Sequence, residues 1–393
     1  MKPANPVFAE LPTTIFTIMS ALAREHDAVN LGQGFPDSDG PEHVRAAAAE
    51  AILAGPNQYP PSAGTQELRL AVAQHNRRFY GLDVDPDREI VVTSGATEAL
   101  ADCLLALLRP GDEAVIIEPA YDAYAPLVRA AGAVPRFVQL QPPGWSFDER
   151  ALSAAFSPRT KLILINSPMN PTGKVFREQE LSLIAGLLHE HDAYAVCDEV
   201  YEHLTFAGRR HVPLMTLPGM RERCLRIGSA GKTFSLTGWK IGYITVDRSL
   251  ADAIANTHQF VTFTSAPALQ HAVAVGLRSD DAYFKGLTED LERKRNLLAS
   301  GLERIGFSVL PCHGTYFVNA DFSALDPDAD DMEFCRRLTM EAQVAAIPVS
   351  VFYQRDSVNI PRRLARFCFC KDDAVLDEAL RRLDRYFKAG MAG

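Results

Sequence analysis

The stretch SAGKTFSLTGWKIGY, residues 229–243, decides how the chain folds. It starts where one β-branched apolar run ends, at 225–229, and leads into a second such run, at 241–246. Lys232 therefore lies just past the end of a predicted strand, and a second cation, Lys240, precedes the next strand. Because a lysine in a loop is most often solvent-exposed, its neighbours in the fold decide whether it has a chemical role.

Further apolar runs extend this pattern towards the N-terminus. They predict strands at 89–93, 114–118, 161–166 and 193–198, with a helix at 97–108 after the first strand. Continuous apolar strands separated by helices are typical of a mostly parallel sheet that is covered by helices on both faces. The sequence therefore predicts an α/β fold class.

The pattern changes beyond residue 279, where longer charge-rich helices replace the apolar runs. Helices are predicted at 282–305, 332–341 and 373–387, and strands at 315–318 and 366–370. These elements predict a smaller α+β lobe, formed by residues 1–45 and 280–393, beside a large domain at 46–279.

Polar and aromatic side chains collect at the predicted carboxyl ends of the strands, where sheets of this type bind ligands. Tyr121, Asn170, Asp198 and Tyr201 all follow such ends, as Lys232 does. Each residue taken singly is explained equally well as an ordinary turn residue. A lysine, an aspartate, an asparagine and two tyrosines at one edge together indicate a ligand site.

The turn SGAT at 94–97 joins a predicted strand to a helix and is a candidate phosphate site. Its small side chains allow close approach, and the backbone N–H groups and dipole of the helix N-terminus favour an anion. The alternative is a plain turn in which Thr97 caps the helix, and the sequence does not decide between the two.

Two other phosphate motifs fail. GQGFPD at 32–37 has two glycines of a dinucleotide fingerprint, but aspartate replaces the third glycine and no strand precedes the motif. GKT at 231–233 resembles the end of a P-loop, but Arg226 occupies the required upstream glycine position. Neither motif predicts a nucleotide ligand.

Charge and composition narrow the expected partners. The formal net charge is −9 without a basic run, so nucleic acid is not an expected partner. Seven cysteines without a CxxC pair predict reduced thiols and no metal site. No apolar stretch reaches the ~18 residues of a membrane span, and residues 1–12 lack the apolar segment of a signal peptide. We therefore expect a cytoplasmic protein without a membrane partner.

Several motifs stand in a fixed order along almost the whole chain. They are NLGQGFPD at 30–37, NQY at 57–59, NSPMNPTG at 166–173, DEVY at 198–201, the stretch 227–243, GTYF at 314–317 and RFCF at 366–369. Together they resemble the class I aminotransferases, fold type I of the pyridoxal-phosphate enzymes. The branch they resemble most is that of kynurenine/glutamine aminotransferase and bacterial methionine aminotransferase. Many class members carry arginine where this chain has Lys240, and the resembled branch shares the lysine.

This resemblance implies pyridoxal 5'-phosphate as the cofactor, bonded through its aldehyde to the amine of Lys232. The freed amine is implied to move the proton of the substrate's α-carbon once the substrate has displaced it. Asp198 is implied to keep the pyridine nitrogen protonated, and Tyr201 and Asn170 to hydrogen-bond the phenolic oxygen. Tyr121 is implied to stack on the ring.

The resemblance also assigns the cofactor's phosphate. Its implied contacts are Gly95, Ala96, Thr97, Ser229 and Lys240. Tyr59 is implied to reach the phosphate of the other subunit, which makes sense only in a homodimer with shared active sites.

Arg366 is implied to bind the substrate's carboxylate through two parallel hydrogen bonds, helped by Asn170 and the backbone of Gly34. The implied side-chain pocket contains Phe16, Phe352 and, from the partner subunit, Phe263 and Thr264. The stretch 258–267 has no arginine of the kind that aspartate-specific members carry. This favours methionine, phenylalanine, leucine, glutamine or kynurenine over dicarboxylates.

The implied activity is transfer of an amino group to a 2-oxo acid by a ping-pong mechanism. A C–S β-lyase on the same fold would use the same lysine and aspartate, and the sequence does not separate the two. A non-catalytic sensor of this fold is a third reading, but it needs a preceding DNA-binding module, and the motifs begin by about residue 30.

Overall fold

The computed structural model describes residues 2–391, in which thirteen strands form three sheets. The strands are β1 (Val29–Asn30), β2 (Ile90–Thr93), β3 (Glu113–Glu118), β4 (Val134–Gln139), β5 (Thr160–Asn166), β6 (Tyr194–Asp198), β7 (Cys224–Ser229), β8 (Gly242–Val246), β9 (Ser308–Val309), β10 (Phe317–Asp321), β11 (Val344–Ala345), β12 (Ile347–Pro348) and β13 (Leu364–Cys368).

The main sheet has seven strands in the order β2-β8-β7-β6-β5-β3-β4. All neighbours are parallel except β8, which runs antiparallel to both β2 and β7. Strands β2, β3, β7 and β8 are buried along their whole length, as expected for strands covered on both faces. The prediction of a mostly parallel sheet is confirmed.

The edge strand β4 was not predicted from the sequence. Its sequence VPRFVQ contains Pro135 and Arg136, and its residues are mostly half-buried or exposed. An edge strand tolerates a proline and a charge because one side of its backbone has no partner strand. The apolar run that identified the other strands is therefore missing from β4.

Fourteen α-helices surround the sheets in the described residues. They are α1 (Pro6–Ala9), α2 (Ile15–Glu25), α3 (Glu42–Ala54), α4 (Gln66–Tyr80), α5 (Ala96–Leu107), α6 (Tyr124–Ala130), α7 (Glu149–Ala154), α8 (Glu178–Glu190), α9 (Ala230–Thr233), α10 (Arg248–Val261), α11 (Pro267–Leu277), α12 (Asp281–Ile305), α13 (Asp331–Glu341) and α14 (Asp373–Met391). The four predicted helices match α5, α12, α13 and α14, and α14 is longer than predicted.

The remaining strands form a four-stranded antiparallel sheet in the order β12-β13-β10-β9 and the parallel pair β1-β11. The two strands predicted here were misplaced along the chain. The strand predicted at 315–318 is β10, Phe317–Asp321, and the one predicted at 366–370 is β13, Leu364–Cys368. After β13 the backbone of Phe369 bonds to Tyr316 outside the ladder, so the apolar pattern continues beyond the strand.

All seven cysteines are buried, and none forms a disulfide within residues 2–391. Within residues 2–391, the helices include none that is both long enough and apolar enough to cross a membrane.

Candidate active site

A cavity of about 320 Å³ lies at the carboxyl edge of the main sheet. Most of the predicted site residues line it: Phe16, Gly34, Gly95, Ala96, Thr97, Tyr121, Asn170, Asp198, Tyr201, Ser229, Lys232, Lys240 and Arg366. Residues far apart in the sequence thus meet because parallel strands end at the same edge.

Lys232 is held by α9, which begins immediately after β7 ends. Its Nζ lies 5.6 Å from the ring centre of Tyr201 and 5.7 Å from that of Tyr316. Burial between these rings lowers the pKa of Lys232, and the nearby Lys240 lowers it further. A lysine with a lowered pKa is more often the neutral amine, the form that attacks an aldehyde and accepts a proton.

Asp198 is the last residue of β6 and is buried. Its Oδ2 accepts a hydrogen bond of 2.5 Å from the hydroxyl of Tyr124. Asn166 donates to the backbone carbonyl of Asp198 at 2.8 Å, which fixes the strand end. Burial raises the pKa of Asp198, and Lys232 opposes this only in part. A buried carboxylate of this kind favours a cationic N–H donor, and the protonated nitrogen of a pyridine ring is such a donor.

The turn at 94–97 forms a cradle for an anion. Gly95 is the N-cap of α5 and has φ 80°, a left-handed conformation that glycine adopts without strain. A Cβ at Gly95 would lie 3.1 Å from Nζ of Lys240, so the lysine's charge is next to the turn. This arrangement excludes the alternative in which Thr97 caps the helix. A phosphate group fits a helix N-terminus with an adjacent cation.

Arg366, in the middle of β13, is 1% exposed. Its Nη1 donates to Oδ1 of Asn170 and its Nη2 to the carbonyl of Gly32, both at 2.8 Å, while its Nε has no partner. Both acceptors are neutral, and burial lowers the pKa of Arg366 to about 10. Because a buried cation without an anionic partner is costly, this guanidinium calls for a carboxylate ligand.

Aromatic rings frame this guanidinium. The ring centres of Phe317, Phe352 and Phe16 lie 4.0, 5.1 and 5.3 Å from the guanidinium carbon of Arg366. Phe352 is not among the residues that line the cavity, and its place in the substrate pocket stays a prediction. It packs behind Phe16, with ring centres 6.0 Å apart, and faces a neighbouring groove.

The three residues expected to act in the partner subunit lie outside the cavity of their own chain. Tyr59 is 82% exposed and packs edge-on against Phe263 at 5.1 Å between ring centres. The hydroxyl of Thr264 donates to the carbonyl of Pro61 at 3.4 Å. Tyr59, Phe263 and Thr264 therefore form one surface cluster.

Some residues of the site were missed by sequence reasoning. Asn166 and Phe317 line the cavity, and Tyr316 donates from its hydroxyl to the carbonyl of Gly34 at 3.0 Å. These three lie inside the quoted motifs, so their neighbours could have pointed to them. Tyr124 carried no signal, because its bond to Asp198 depends on how α6 packs against the sheet.

We predict that Tyr124→Phe lowers the rate of the catalysed reaction roughly tenfold, because a buried carboxylate loses its shortest hydrogen bond. Steady-state rates and cofactor affinity measure the effect. Tyr386→Phe is the control, since it removes a comparable tyrosine–carboxylate bond, to Glu341, on the surface. Equal rates for Tyr124→Phe and wild type would show that Tyr124 does not support Asp198.

Comparison with known proteins identifies the family of this chain. The family described as Aminotransferase class I and II matches residues 26–383, and the chain belongs to that family. It is thus an aminotransferase of fold type I, an enzyme that depends on pyridoxal phosphate.

Its relatives differ in their substrates. The chain is 46% identical over 379 residues to a probable N-succinyldiaminopimelate aminotransferase of Mycobacterium tuberculosis, covering 94% of this chain and 95% of that protein. It is 41% identical over 374 residues to the methionine aminotransferase of Escherichia coli, covering 95% and 96%. The crystal structure of the E. coli protein YbdL, described as having a methionine aminotransferase function, has a TM-score of 0.94 at 40% identity and covers 98% of this chain and 100% of that chain.

Proposed function

We propose that this enzyme moves the amino group of an apolar, aromatic or sulfur-containing L-amino acid to a 2-oxo acid by a ping-pong mechanism. The substrates proposed are of the methionine, phenylalanine, glutamine or kynurenine type. The observation that carries the proposal is Arg366, a buried guanidinium with neutral protein acceptors, in one cavity with the amine of Lys232.

The roles proposed for the residues follow from their positions. Pyridoxal phosphate, when bound, supplies an aldehyde for the amino group and a ring that accepts electrons from the α-carbon. Lys232 would hold the aldehyde, and its Nζ, when free, would carry the proton of the substrate's α-carbon. Asp198 keeps the ring nitrogen protonated, while Tyr201 and Asn170 hydrogen-bond the phenolic oxygen.

The phosphate and the ring have their own proposed contacts. The backbone of Gly95, Ala96 and Thr97, the hydroxyl of Ser229 and the ammonium of Lys240 bind the phosphate. Tyr121 covers one face of the ring.

The proposed substrate class rests on the charges in the cavity. The three cations that line it are Lys232, Lys240 and Arg366, and each already has a role. No further cation of the described residues lines the cavity, and the surface cluster of Tyr59, Phe263 and Thr264 adds none. A substrate side chain with its own carboxylate would therefore lack a cationic partner in the cavity.

A ranking of substrates tests this class. Methionine, phenylalanine, glutamine, kynurenine, aspartate and N-succinyl-LL-2,6-diaminopimelate are each added without a 2-oxo acid, and the conversion of the cofactor is followed by absorbance. We expect the first four to react at least about tenfold faster than aspartate, since an unpaired buried carboxylate is disfavoured. Much faster reaction of N-succinyldiaminopimelate would overturn the proposed class. Pyruvate release from a cysteine conjugate, again without a 2-oxo acid, would instead indicate a C–S β-lyase.

We also propose a homodimer in which the surface cluster completes the partner's site. Phe263, 40% exposed, packs against Tyr59, and Phe260, 85% exposed, lies three residues before Phe263 in the sequence. A contiguous exposed apolar patch is typical of a protein interface. The large domain at 46–279, the small domain at 1–45 and 280–393, and a cytoplasmic location stay predictions.

Subunit mixing tests the shared site. Lys232→Ala and Tyr59→Ala are each made as purified variants, then mixed and allowed to exchange subunits. We expect activity to rise above the sum of the two, because the mixed dimer holds one site with both Lys232 and the partner's Tyr59 intact. A mixture that stays at the sum, with subunit exchange shown by differently tagged chains, would contradict shared sites.

A further inference from the structure

His258 occupies an unusual position in α10. Its side chain is fully buried, and each ring nitrogen faces an acceptor. Nδ1 lies 2.8 Å from Oε1 of Glu98, and Nε2 lies 3.0 Å from the carbonyl of Ser62. A carboxylate oxygen of Asp102 lies 3.7 Å from Nδ1. A ring that donates from both nitrogens carries both protons, and so is an imidazolium.

The charges around the ring agree with this protonation. Burial by itself lowers the pKa of His258, but the nearby carboxylates of Asp102 and Glu98 outweigh it and raise the pKa to about 9. Both carboxylates come from α5, and the contact from the other side, Ser62, is a backbone carbonyl.

Glu98 links the ring of His258 to the turn at 94–97, the proposed phosphate site. The second oxygen of Glu98 accepts a hydrogen bond from the backbone amide of Ser94, the first residue of the turn at 94–97. His258 therefore holds the carboxylate that fixes the start of this turn. A shift of Glu98 would move the amides of Gly95 to Thr97, which line the cavity.

On the other side of the ring, Ser62 links His258 to the surface cluster of Tyr59, Phe263 and Thr264. Ser62 follows Pro61, whose carbonyl accepts from the hydroxyl of Thr264, and both lie within three residues of Tyr59. The backbone carbonyl of His258 also accepts from the amide of Phe263 at 2.9 Å. One residue is thus linked, through Glu98, to the turn at 94–97 and, directly, to the segments that carry Tyr59, Phe263 and Thr264.

We propose that His258 is a positioning residue that aligns the phosphate turn at 94–97 with the segment 59–62, so that the two meet one cofactor phosphate from opposite sides of a dimer. This inference rests on the proposed phosphate site and shared dimer. His258 itself does not touch the cofactor, because it acts through Glu98 and Ser62.

Cofactor binding tests the proposal. Dissociation constants of pyridoxal phosphate and of pyridoxal, which lacks the phosphate, are measured by absorbance titration of the apoenzyme for wild type and His258→Gln. We expect His258→Gln to lower the affinity for pyridoxal phosphate roughly tenfold to hundredfold, as for loss of a charge-assisted hydrogen bond. The affinity for pyridoxal should not change. The wild-type affinity for pyridoxal phosphate should also fall as pH rises through about 9, because the His258 ring loses a proton there. This pH dependence should be absent from His258→Gln.

Matched variants keep this test decisive. His271→Gln removes a second histidine–glutamate bond, of 2.7 Å to Glu67, on the next helix away from the phosphate turn, and should change neither constant. If His258→Gln does not fold, Glu98→Gln gives the same readout, because the neutral amide replaces the charged acceptor between His258 and Ser94.

Two outcomes overturn the inference. One is a folded His258→Gln variant that binds pyridoxal phosphate as tightly as wild type does. The other is an equal loss of affinity for pyridoxal phosphate and for pyridoxal, which would indicate a merely structural role of His258. Failure of the underlying phosphate site is recognised separately. In that case wild type itself would not prefer pyridoxal phosphate over pyridoxal, and Lys240→Met would change nothing.

Discussion

Replacing Lys232 by alanine is expected to lower turnover by roughly 10⁴-fold, because the variant loses the proposed proton carrier of the reaction and the proposed covalent attachment of the cofactor. No neighbouring group replaces it, since the other cations of the cavity are proposed to bind the phosphate and the carboxylate. The fold should survive, because the Lys232 side chain lies in the cavity rather than within a packed core.

The measurement combines single-turnover rates with the melting temperature. Lys285→Ala, a change of an exposed lysine on α12, controls for loss of a positive charge in general. A Lys232→Ala variant that keeps more than a tenth of the wild-type rate would exclude Lys232 as the proton carrier. Added small primary amines should restore part of the rate, because they supply the missing base.

Replacing Arg366 by leucine is expected to lower kcat/KM for methionine by roughly 10³-fold, because the substrate's carboxylate then enters a buried site without its cation. Arg366→Lys should recover only part of the loss, since an ammonium cannot match both carboxylate oxygens as a guanidinium does. The loss should fall mainly on KM if the carboxylate is bound equally in the ground state and the transition state.

An amine without a carboxylate makes this test specific. 3-(Methylthio)propylamine has the side chain and amino group of methionine, so its slow reaction should be the same in wild type and Arg366→Leu. Arg362→Leu, a nearby exposed arginine that lies outside the cavity, should leave kcat/KM for methionine unchanged. If Arg366→Leu slows both substrates equally, Arg366 supports the structure of the site and does not bind the carboxylate.

The main sheet was predictable because burial on both faces requires continuous apolar strands, which stand out in the sequence. The same reasoning missed β4, since an edge strand has no such requirement. It also misplaced β10 and β13, because apolar residues continue beyond the last hydrogen-bonded pair of a strand. The fold class, the enzyme class and the cofactor were predicted and are confirmed by the family to which the chain belongs.

Some residues of the candidate site could likewise be predicted from the sequence, and others could not. Residues at the strand ends, such as Asp198 and Lys232, were predictable because topology alone brings parallel strand ends together. Contacts that depend on side-chain packing were not, and those of Tyr124 and His258 are examples. His258 lies in the stretch 258–267, whose sequence was informative only because it has no arginine. The Mycobacterium tuberculosis relative is named for N-succinyldiaminopimelate, which the sequence of this chain did not suggest.

The most direct test of the central claim is the visible absorption spectrum of the purified protein, before and after methionine is added without a 2-oxo acid. The account predicts a yellow protein–cofactor band that fades with methionine and returns when a 2-oxo acid is supplied. A protein that shows no such band, even after pyridoxal phosphate is added, would contradict the assignment of Lys232 and of the site around it.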